Sequence, residues 1–465
     1  QIRINVQLID AHSDVNLWAQ QYDRELTPAN IFGIQAEIAR SIASALDSTL
    51  TRTDAAQLHV LPTDNMAAYR AYHEAMALRS TEGIGAPAYI AALERAVKLD
   101  PEFVRAWAEL AGAISYRNFG RRDPDAILRL ESMLERIRAL APRSSEYLIA
   151  QAYYTYYVVK DNDRALSLIQ QARSLRPSDV QVLELQSWIQ RRLGDFNGTI
   201  ESTRRARTLD PRNPYWTVRL VSNLMIAHRY DEAIAELENS HVESFKLSVL
   251  HSMLRVRDHR DPGRMLKDLS ALQSEYGAEA DPLDLWEAHI AGRDYAGAAA
   301  ILDALPVAER QSFALKYLAV ADVDVARIIT DRFLDARDPL APRLAEARAK
   351  LEQEEGSGVV NFKANRYLAM AFVSAVDGNT AETERLVRVW LREAAHDHAE
   401  LAALRHHACR ALAMAAAASA AVECLRSGLL EPSQIIPFIE PFLPYYDSLR
   451  NDPGFVEFLA EIQGV

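Results

Sequence analysis

The chain has 465 residues, 49% of them hydrophobic, with only 17 Gly and 19 Pro, which excludes collagen-like and low-complexity classes and leaves material for more than one core. A formal net charge of −12 argues against a nucleic-acid partner, whose phosphates need a basic footprint, and against an anionic membrane surface. Two cysteines, Cys409 and Cys424, are too few for a disulfide framework or a cysteine-based zinc site, and the sequence leaves open whether they are joined.

In chain order, Ile2, Ile4, Val6 and Leu8 alternate with Arg3, Asn5 and Gln7, the period of two that marks a half-buried strand. Asp10, His12, Ser13 and Asp14 supply turn chemistry, and "NLWAQQYDREL" then reads as a second strand. Ile31, Ile34, Ile38, Ile42 and Leu46 follow at helical spacing. A lone hairpin is marginal in water, so the expectation is that this is the end of a larger sheet whose other strands lie upstream of Gln1. The stretch Arg3 to Leu50, with "QLIDA", "LWA", "YDREL" and "IFGIQAEIARSIASAL" in order, resembles the closing strands and last helix of the TolB-like amino-terminal domain. That resemblance implies an upstream effector, either a winged-helix DNA-binding domain, a class III nucleotide cyclase or a kinase, with tetratricopeptide repeats downstream. It implies an extracytoplasmic array if the parent is membrane-anchored and a cytoplasmic one otherwise.

Four similar endings recur: "AVKLDP" at Pro101, "IRALAP" at Pro142, "ARSLRP" at Pro177 and "ARTLDP" at Pro211. The steps between the prolines are 41, 35 and 34 residues, the last two close to the ~34-residue tetratricopeptide period. Gly194 falls at a turn between paired helices, where a residue without Cβ takes positive φ, and Pro211 stops the second helix of its pair. Trp107, Leu110, Ala111 and Ile114 give a first helix its large, large, small, large pattern. The longest step holds "NFGRRDPDA", expected to be a longer loop. This resembles a tetratricopeptide domain of about five repeats over 66–238.

From 239 to 465 the period blurs. "LWEAHIAGRDYAGAAAILDALP" reads as one helical pair with Gly292 in its turn, and "NRYLAMAFVSAVDGNTAETERLVRVWL" as another turning at Asp377-Gly378-Asn379. "RLAEARAKLEQEEGSG" reads as charged helix ending in a loop at Gly356-Ser357-Gly358. "ACRALAMAAAASAAVECL" is the most apolar stretch, but Arg410, Glu423 and its alanines suit close helix packing better than a bilayer. "PFLPYYDSLRNDPGFVEFLAEI" is expected to cap the last apolar face. The fold class is therefore all-α, a tetratricopeptide-type helical-hairpin solenoid. Its segments are 1–60, the remnant of an α/β domain, 66–238, the repeats, and 239–465, degenerate helical repeats with a C-terminal cap.

Catalytic motifs are absent from the sequence. "HRD" at His259-Arg260-Asp261 lacks the Asn, Gly-rich loop and DFG of a kinase, and no Walker, Rossmann, G-x-S-x-G or H-E-x-x-H pattern occurs. His396, His398, His406 and His407 cluster. His396 to Glu400 is one helical turn and His398 to His406 two, but solvated helix ends explain them, and no metal or cofactor is assigned. In the family resembled, the first helix of each pair lines a concave groove. Carried onto this chain, its groove positions fall on Tyr147, Tyr154 and Tyr157, on Glu184, Trp188 and Arg191, and on Tyr215 and Met225. Tyr, Trp and Arg commonly anchor binding hot spots, although two of the crowded Tyr153, Tyr154, Tyr156 and Tyr157 must pack between helices. The expectation is a non-catalytic sensor or scaffold module of a larger bacterial regulator, taking a protein or peptide ligand or a second copy of itself, and contacting neither nucleic acid nor membrane. Its rivals are a small-molecule sensor, which a deep apolar pocket with a few convergent polar groups would favour, and an unrecognised enzyme within 239–465, which convergent ionisable residues in a closed cavity would support.

Overall fold

Alternation at the N-terminus becomes strand β1 (Ile2–Ile9) in the computed structural model, which describes residues 2–10, 14–25, 27–45, 62–119, 123–240, 242–277, 280–306, 323–335, 337–353 and 363–462. His12, Ser13, Leu46, the Ile31 side chain, residues 120–122 of the expected long loop and the Gly356-Ser357-Gly358 loop lie outside the described residues. The chain divides into two compact units, Gln1–Pro177 and Ser178–Val465. The boundary drawn from sequence after residue 238 falls inside the second.

In the first unit, β1 pairs antiparallel with β2 (Asn16–Arg24), placing Ile4 opposite Tyr22 and Leu8 opposite Trp18. Tyr22 is buried on the face that β2 turns to α1 (Pro28–Ala45), where Ile34 and Ala36 are also buried. Three helical hairpins follow: α2 (Met66–Glu82) with α3 (Pro87–Leu99), α4 (Val104–Arg117) with α5 (Pro124–Leu140), and α6 (Ser145–Tyr154) with α7 (Asn162–Leu175). Their starts are fixed by side chains that accept from otherwise unpaired backbone N–H groups, Asn65 for α2, Asp123 for α5, Ser144 for α6 and Asp161 for α7. Buried alanines at 68, 71, 75, 92, 96, 106 and 111 let the helices approach, and Tyr89, Leu93, Phe103, Leu110, Leu130 and Ile137 fill the core between them. Pro101 does more than stop a helix: its carbonyl accepts from Trp107 Nε1 at 3.0 Å. Glu109 is buried and satisfied by Arg79 Nη1 at 2.9 Å and Tyr89 Oη at 2.8 Å. The end of α6 widens into a π-helical turn, Thr155–Val159.

Among its described residues the second unit holds seven hairpins: α8 (Val180–Arg192) with α9 (Phe196–Leu209), α10 (Pro214–Ile226) with α11 (Tyr230–Glu238), α12 (Phe245–Arg255) with α13 (Arg264–Tyr276), α14 (Pro282–Ala291) with α15 (Tyr295–Ala304), α16 (Val323–Phe333) with α17 (Arg337–Gln353), α18 (Lys363–Val376) with α19 (Thr380–Ala394), and α20 (His398–Met414) with α21 (Ala418–Leu430). The turns of all seven place one residue in the left-handed region: Gly194, His228, Arg260, Arg293, Asp335, Gly378 and Ala416, with φ of 81°, 57°, 50°, 59°, 52°, 80° and 54°. In the fourth hairpin of this unit that residue is Arg293, not Gly292, whose φ is −78°. The conformation belongs to the turn geometry, and the glycine beside it is one place out of step. Asp195, Asp294 and Asn379 then cap the helices that follow. The Ala-rich stretch breaks at Ala415–Ala417 into two packed helices, joined by a Cys409–Cys424 disulfide with Cα atoms 5.4 Å apart. No helix of the described residues is long and apolar enough to cross a membrane.

This unit closes on itself. α8 of its first hairpin packs against α20 of its last, Arg192 pairs with Asp397, and the His398 ring lies beside Gly194. The closing segment goes further than the expected cap. α22 (Pro453–Glu461) does pack on α21. Residues 431–452 instead run inward: Ser433 N donates to Ile226 O at 2.8 Å and Gln434 N to Ala402 O at 2.9 Å. Ile435, Ile436, Phe438, Ile439, Leu443, Tyr445, Tyr446 and Leu449 are buried in one core with Leu220, Leu224, Trp286 and Ile290.

Gly194 supplies a test of the turn and of its contact with His398. At φ +81° an added Cβ is strained, and it would lie 3.1 Å from the His398 ring. Gly194→Ala should cost about 1–2 kcal/mol in urea unfolding, whereas Gly33→Ala, with open space around its Cβ, should not lower stability.

Candidate binding cavity

The inward course of residues 431–452 leaves a cavity of about 230 Å³ inside the second unit. One end is apolar, with Met225 and Ile226 from α10, Leu250 and Met253 from α12, Met265 from α13, Ile290 from α14, and Ile436, Ile439 and Leu443 from the closing segment. The other end is polar and is built around Arg410 of α20. Arg410 Nε and Nη2 donate to the two carboxylate oxygens of Glu440, each at 2.8 Å, and Nη1 donates to Glu287 Oε1 at 3.0 Å. Tyr446 Oη donates to Glu440 Oε1 at 2.8 Å, and the guanidinium lies 4.9 Å from the centre of the Tyr445 ring. Arg410 and Glu440 are 7% and 3% exposed, while Glu287 keeps 38% of its side chain accessible, so the polar end is reached from the Glu287 side.

Burial by itself would lower the Arg410 pKa, but the charges of Glu440 and Glu287 outweigh it and hold the guanidinium charged. Burial pushes the Tyr446 hydroxyl well up, reinforced by the Glu440 charge, so it stays a donor. His406 and His407 are held well below their usual 6.5, His406 by desolvation first and then by His407 and Arg410, and His407 by desolvation first and then by Arg410. Both imidazoles are therefore neutral at pH 7. His406 is buried, lines the cavity, and its Nδ1 has no hydrogen-bond partner among the described residues. Glu287, His406 and His407 each offer a ligand atom within 4.8 Å of the others, a grouping that does not involve the His396–Glu400 or His398–His406 spacings. His398 instead packs at Gly194.

Arg410 and Glu440 are spent on one another, whereas Glu287 Oε2 and His406 Nδ1 have no hydrogen-bond partner among the described residues. Ser222, a hydroxyl at the cavity wall, donates to Val218 O in its own helix at 2.8 Å and is not activated by an imidazole. The arrangement suits binding: a polar end with fixed charges, an adaptable methionine-rich wall, and an opening at Glu287.

The groove positions carried over from the resemblance are distributed unevenly. In the first unit, Tyr147 and Tyr154 are half-buried. Tyr147 Oη accepts from Gln151 Nε2 at 2.8 Å, and Tyr154 Oη donates to Glu131 at 2.9 Å. Tyr157 is buried in the π-helical turn among the rings of Tyr116, Phe119, Tyr153 and Tyr156. In the second unit, Tyr215 is 39% exposed and its hydroxyl donates to the buried Glu184 at 2.5 Å. Trp188 and Arg191 are half-buried on the same helix as Glu184. Met225 is buried and lines the cavity. Sequence reasoning missed Glu287, Arg410 and Glu440. Arg410 and Glu287 are 123 residues apart and Arg410 and Glu440 are 30 apart, with no local pattern connecting them.

No family model matches the chain. Over 51 residues it is 47% identical to a protein of Rhizobium meliloti (strain 1021) described as "Putative adenylate cyclase 3", a stretch that is 11% of this chain and 8% of that protein. Among solved structures it is similar to PilW, described as a widely conserved type IV pilus biogenesis factor, at a TM-score of 0.35 and 14% identity over 48% of this chain and 98% of that one. It is also similar to pilF of Pseudomonas aeruginosa, at 0.32 and 15% over 48% and 96%, and to MamA, at 0.24 and 13% over 46% and 98%.

The Arg410 cluster has a measurable cost when broken. Arg410→Ala leaves Glu440 buried without its cation, and the second unit should lose about 3–5 kcal/mol in chemical denaturation. A loss under ~1 kcal/mol would mean that the pair is not buried as described.

Proposed function

We propose that this chain is the non-catalytic sensor or scaffold module of a larger bacterial regulator, and that it takes a protein or peptide partner on its helical hairpins. The observation that carries the reading is the helical hairpins of the described residues, three in the first unit and seven in the second, an architecture whose short units need neighbours to bury their faces and which presents binding surface. Within the second unit, Glu184, Trp188 and Arg191 recur at helical spacing on α8, and Tyr215 of α10 bonds to Glu184. These are residue types that anchor interfaces. The TolB-like resemblance of Arg3 to Leu50 supports an effector upstream, whether winged-helix domain, nucleotide cyclase or kinase, and the short likeness to a protein described as a putative adenylate cyclase favours the cyclase among them.

A second reading is favoured by a specific observation: the cavity in the second unit, apolar at one end and polar at the other, is what a small-molecule sensor requires. Ligand and partner would then act on the same unit, since α10 carries both Tyr215 and the cavity residue Met225.

The coding sequence immediately upstream of Gln1 tests the larger-regulator reading: a cyclase domain in frame is expected, and an in-frame start codon just before Gln1 contradicts it. In the intact regulator, Trp188→Ala and Tyr215→Ala should each change effector output at least about threefold with little change in unfolding midpoint. Unchanged output from both would remove the partner surface assigned to them.

A further inference from the structure

The charge around the cavity specifies its ligand more narrowly than its shape does. Arg410 contributes one positive charge, and Glu440 and Glu287 one negative charge each. Both carboxylates of the cluster are ion-paired to the one guanidinium, so the polar end carries a net charge of about −1 in a partly desolvated setting, where an uncompensated charge is costly. Glu440 is fully engaged, with both oxygens on Arg410 and a further bond from Tyr446. Glu287 is not. Its Oε1 accepts from Arg410, while Oε2 has no hydrogen-bond partner among the described residues. Near Glu287 stands His406, 5% exposed, with an Nδ1 that has no hydrogen-bond partner among the described residues. An acceptor oxygen of Glu287 and a ring nitrogen of His406 lie within 4.8 Å of each other. One ammonium group at the usual hydrogen-bond length of ~2.8 Å from each bridges a gap of that size.

We infer that the cavity is a binding site for a small amphipathic monoamine, whose ammonium sits between Glu287 and His406 and whose apolar body lies against Met225, Met253, Met265 and Ile436. This inference rests on the small-molecule reading above and gives that reading its ligand class. One positive charge brings the polar end to neutrality. A carboxylate ligand would raise the excess to −2. A divalent metal ion on Glu287, His406 and His407 would leave a net +1 beside the Arg410 guanidinium, which already holds one of the three ligands at 3.0 Å. The amine needs no group in the cluster to change partner: Arg410 keeps Glu440, and the ligand takes the free oxygen of Glu287. Size follows from volume. An apolar cavity of about 150 Å³ accepts benzene, and scaling from benzene to 230 Å³ gives a body of roughly nine non-hydrogen atoms. Three methionines in the wall fit ligands of varied outline, because an unbranched thioether side chain re-packs at little cost.

The experiment is isothermal titration of the full chain at pH 7.5 with three probes of nearly equal size: 2-phenylethylamine, 2-phenylethanol and phenylacetate. Zinc chloride is titrated separately. The amine is expected to bind saturably at one site, at least tenfold tighter than the alcohol and the carboxylate. Glu287→Gln should weaken it at least tenfold while leaving the far-ultraviolet circular dichroism and the unfolding midpoint in place. Met253→Trp, which fills the apolar end without touching the charges, should also abolish amine binding. If the alcohol or the carboxylate binds as well as the amine, the amine assignment fails while the cavity remains a small-molecule site. If none of the organic probes binds, both fail. Zinc binding that is lost in Glu287→Gln, without amine binding, overturns the assignment in favour of a metal site.

Discussion

Arg410 and Glu440 form the contact on which the second unit is organised. Removing two charges from water costs several kcal/mol for each, and only good geometry with further hydrogen bonds offsets that cost. The pair meets both conditions, with two parallel bonds at 2.8 Å, a third donor in Tyr446, and Glu287 on the remaining guanidinium nitrogen. A fork this directional tolerates little sliding. It fixes the register of the closing segment against α20, and thereby sets which side chains of residues 431–452 face α10, α12 and α14. The apolar contacts of Ile435, Phe438 and Leu443 supply area. The charges determine where that area is placed.

The same arrangement resolves a difficulty common to stacked helical hairpins. Each pair has an apolar face its neighbours must cover, and an array left open at its ends and along its inner side exposes part of that surface. In the second unit, α8 meets α20, and the chain turns back so that its own residues 431–452 cover inner faces of α10, α14 and α20. Coverage is incomplete where Glu287, His406 and three methionines meet, and the cavity is what remains. The candidate site is thus a by-product of how the unit covers itself, and the turn at Arg293 is tied to it through the ion pair of that arginine with Asp447 in the same closing segment.

Local features were read from sequence with success where a local cause exists. Alternation in Arg3–Leu8 and the spacing of Ile34, Ile38 and Ile42 gave a hairpin and a helix. Proline stops a helix by its own chemistry, and helical hairpins lie between the recurring prolines. Gly194 was identified as a left-handed turn residue because glycine takes that conformation cheaply, while His228, Arg293 and Ala416 take it under tertiary constraint and leave no sign in composition. The disulfide was left open because two cysteines carry no spacing rule, and it is helix packing that brings their Cα atoms to 5.4 Å. The cavity was legible only in fragments. His406 and His407 were noticed, but helical spacing offered His396, His398 and Glu400 as companions, whereas the third group is Glu287 from another hairpin. Position within a first helix likewise indicates a side and not a depth: Tyr215 is well exposed, while Tyr157 and Met225 are buried.

Amide hydrogen exchange of the intact chain, resolved to residues 431–449, tests the central claim most directly. If the closing segment is built into the second unit, the amides of Ser433 and Gln434, which donate to Ile226 and Ala402, exchange as slowly as those of α10 and α20, on the order of a thousandfold or more below the free-chain rate, which corresponds to roughly 4 kcal/mol of opening free energy. Exchange of those amides at the free-chain rate, with α10 and α20 still protected, would show that the segment does not occupy the interior, and the cavity and its ligand would go with it.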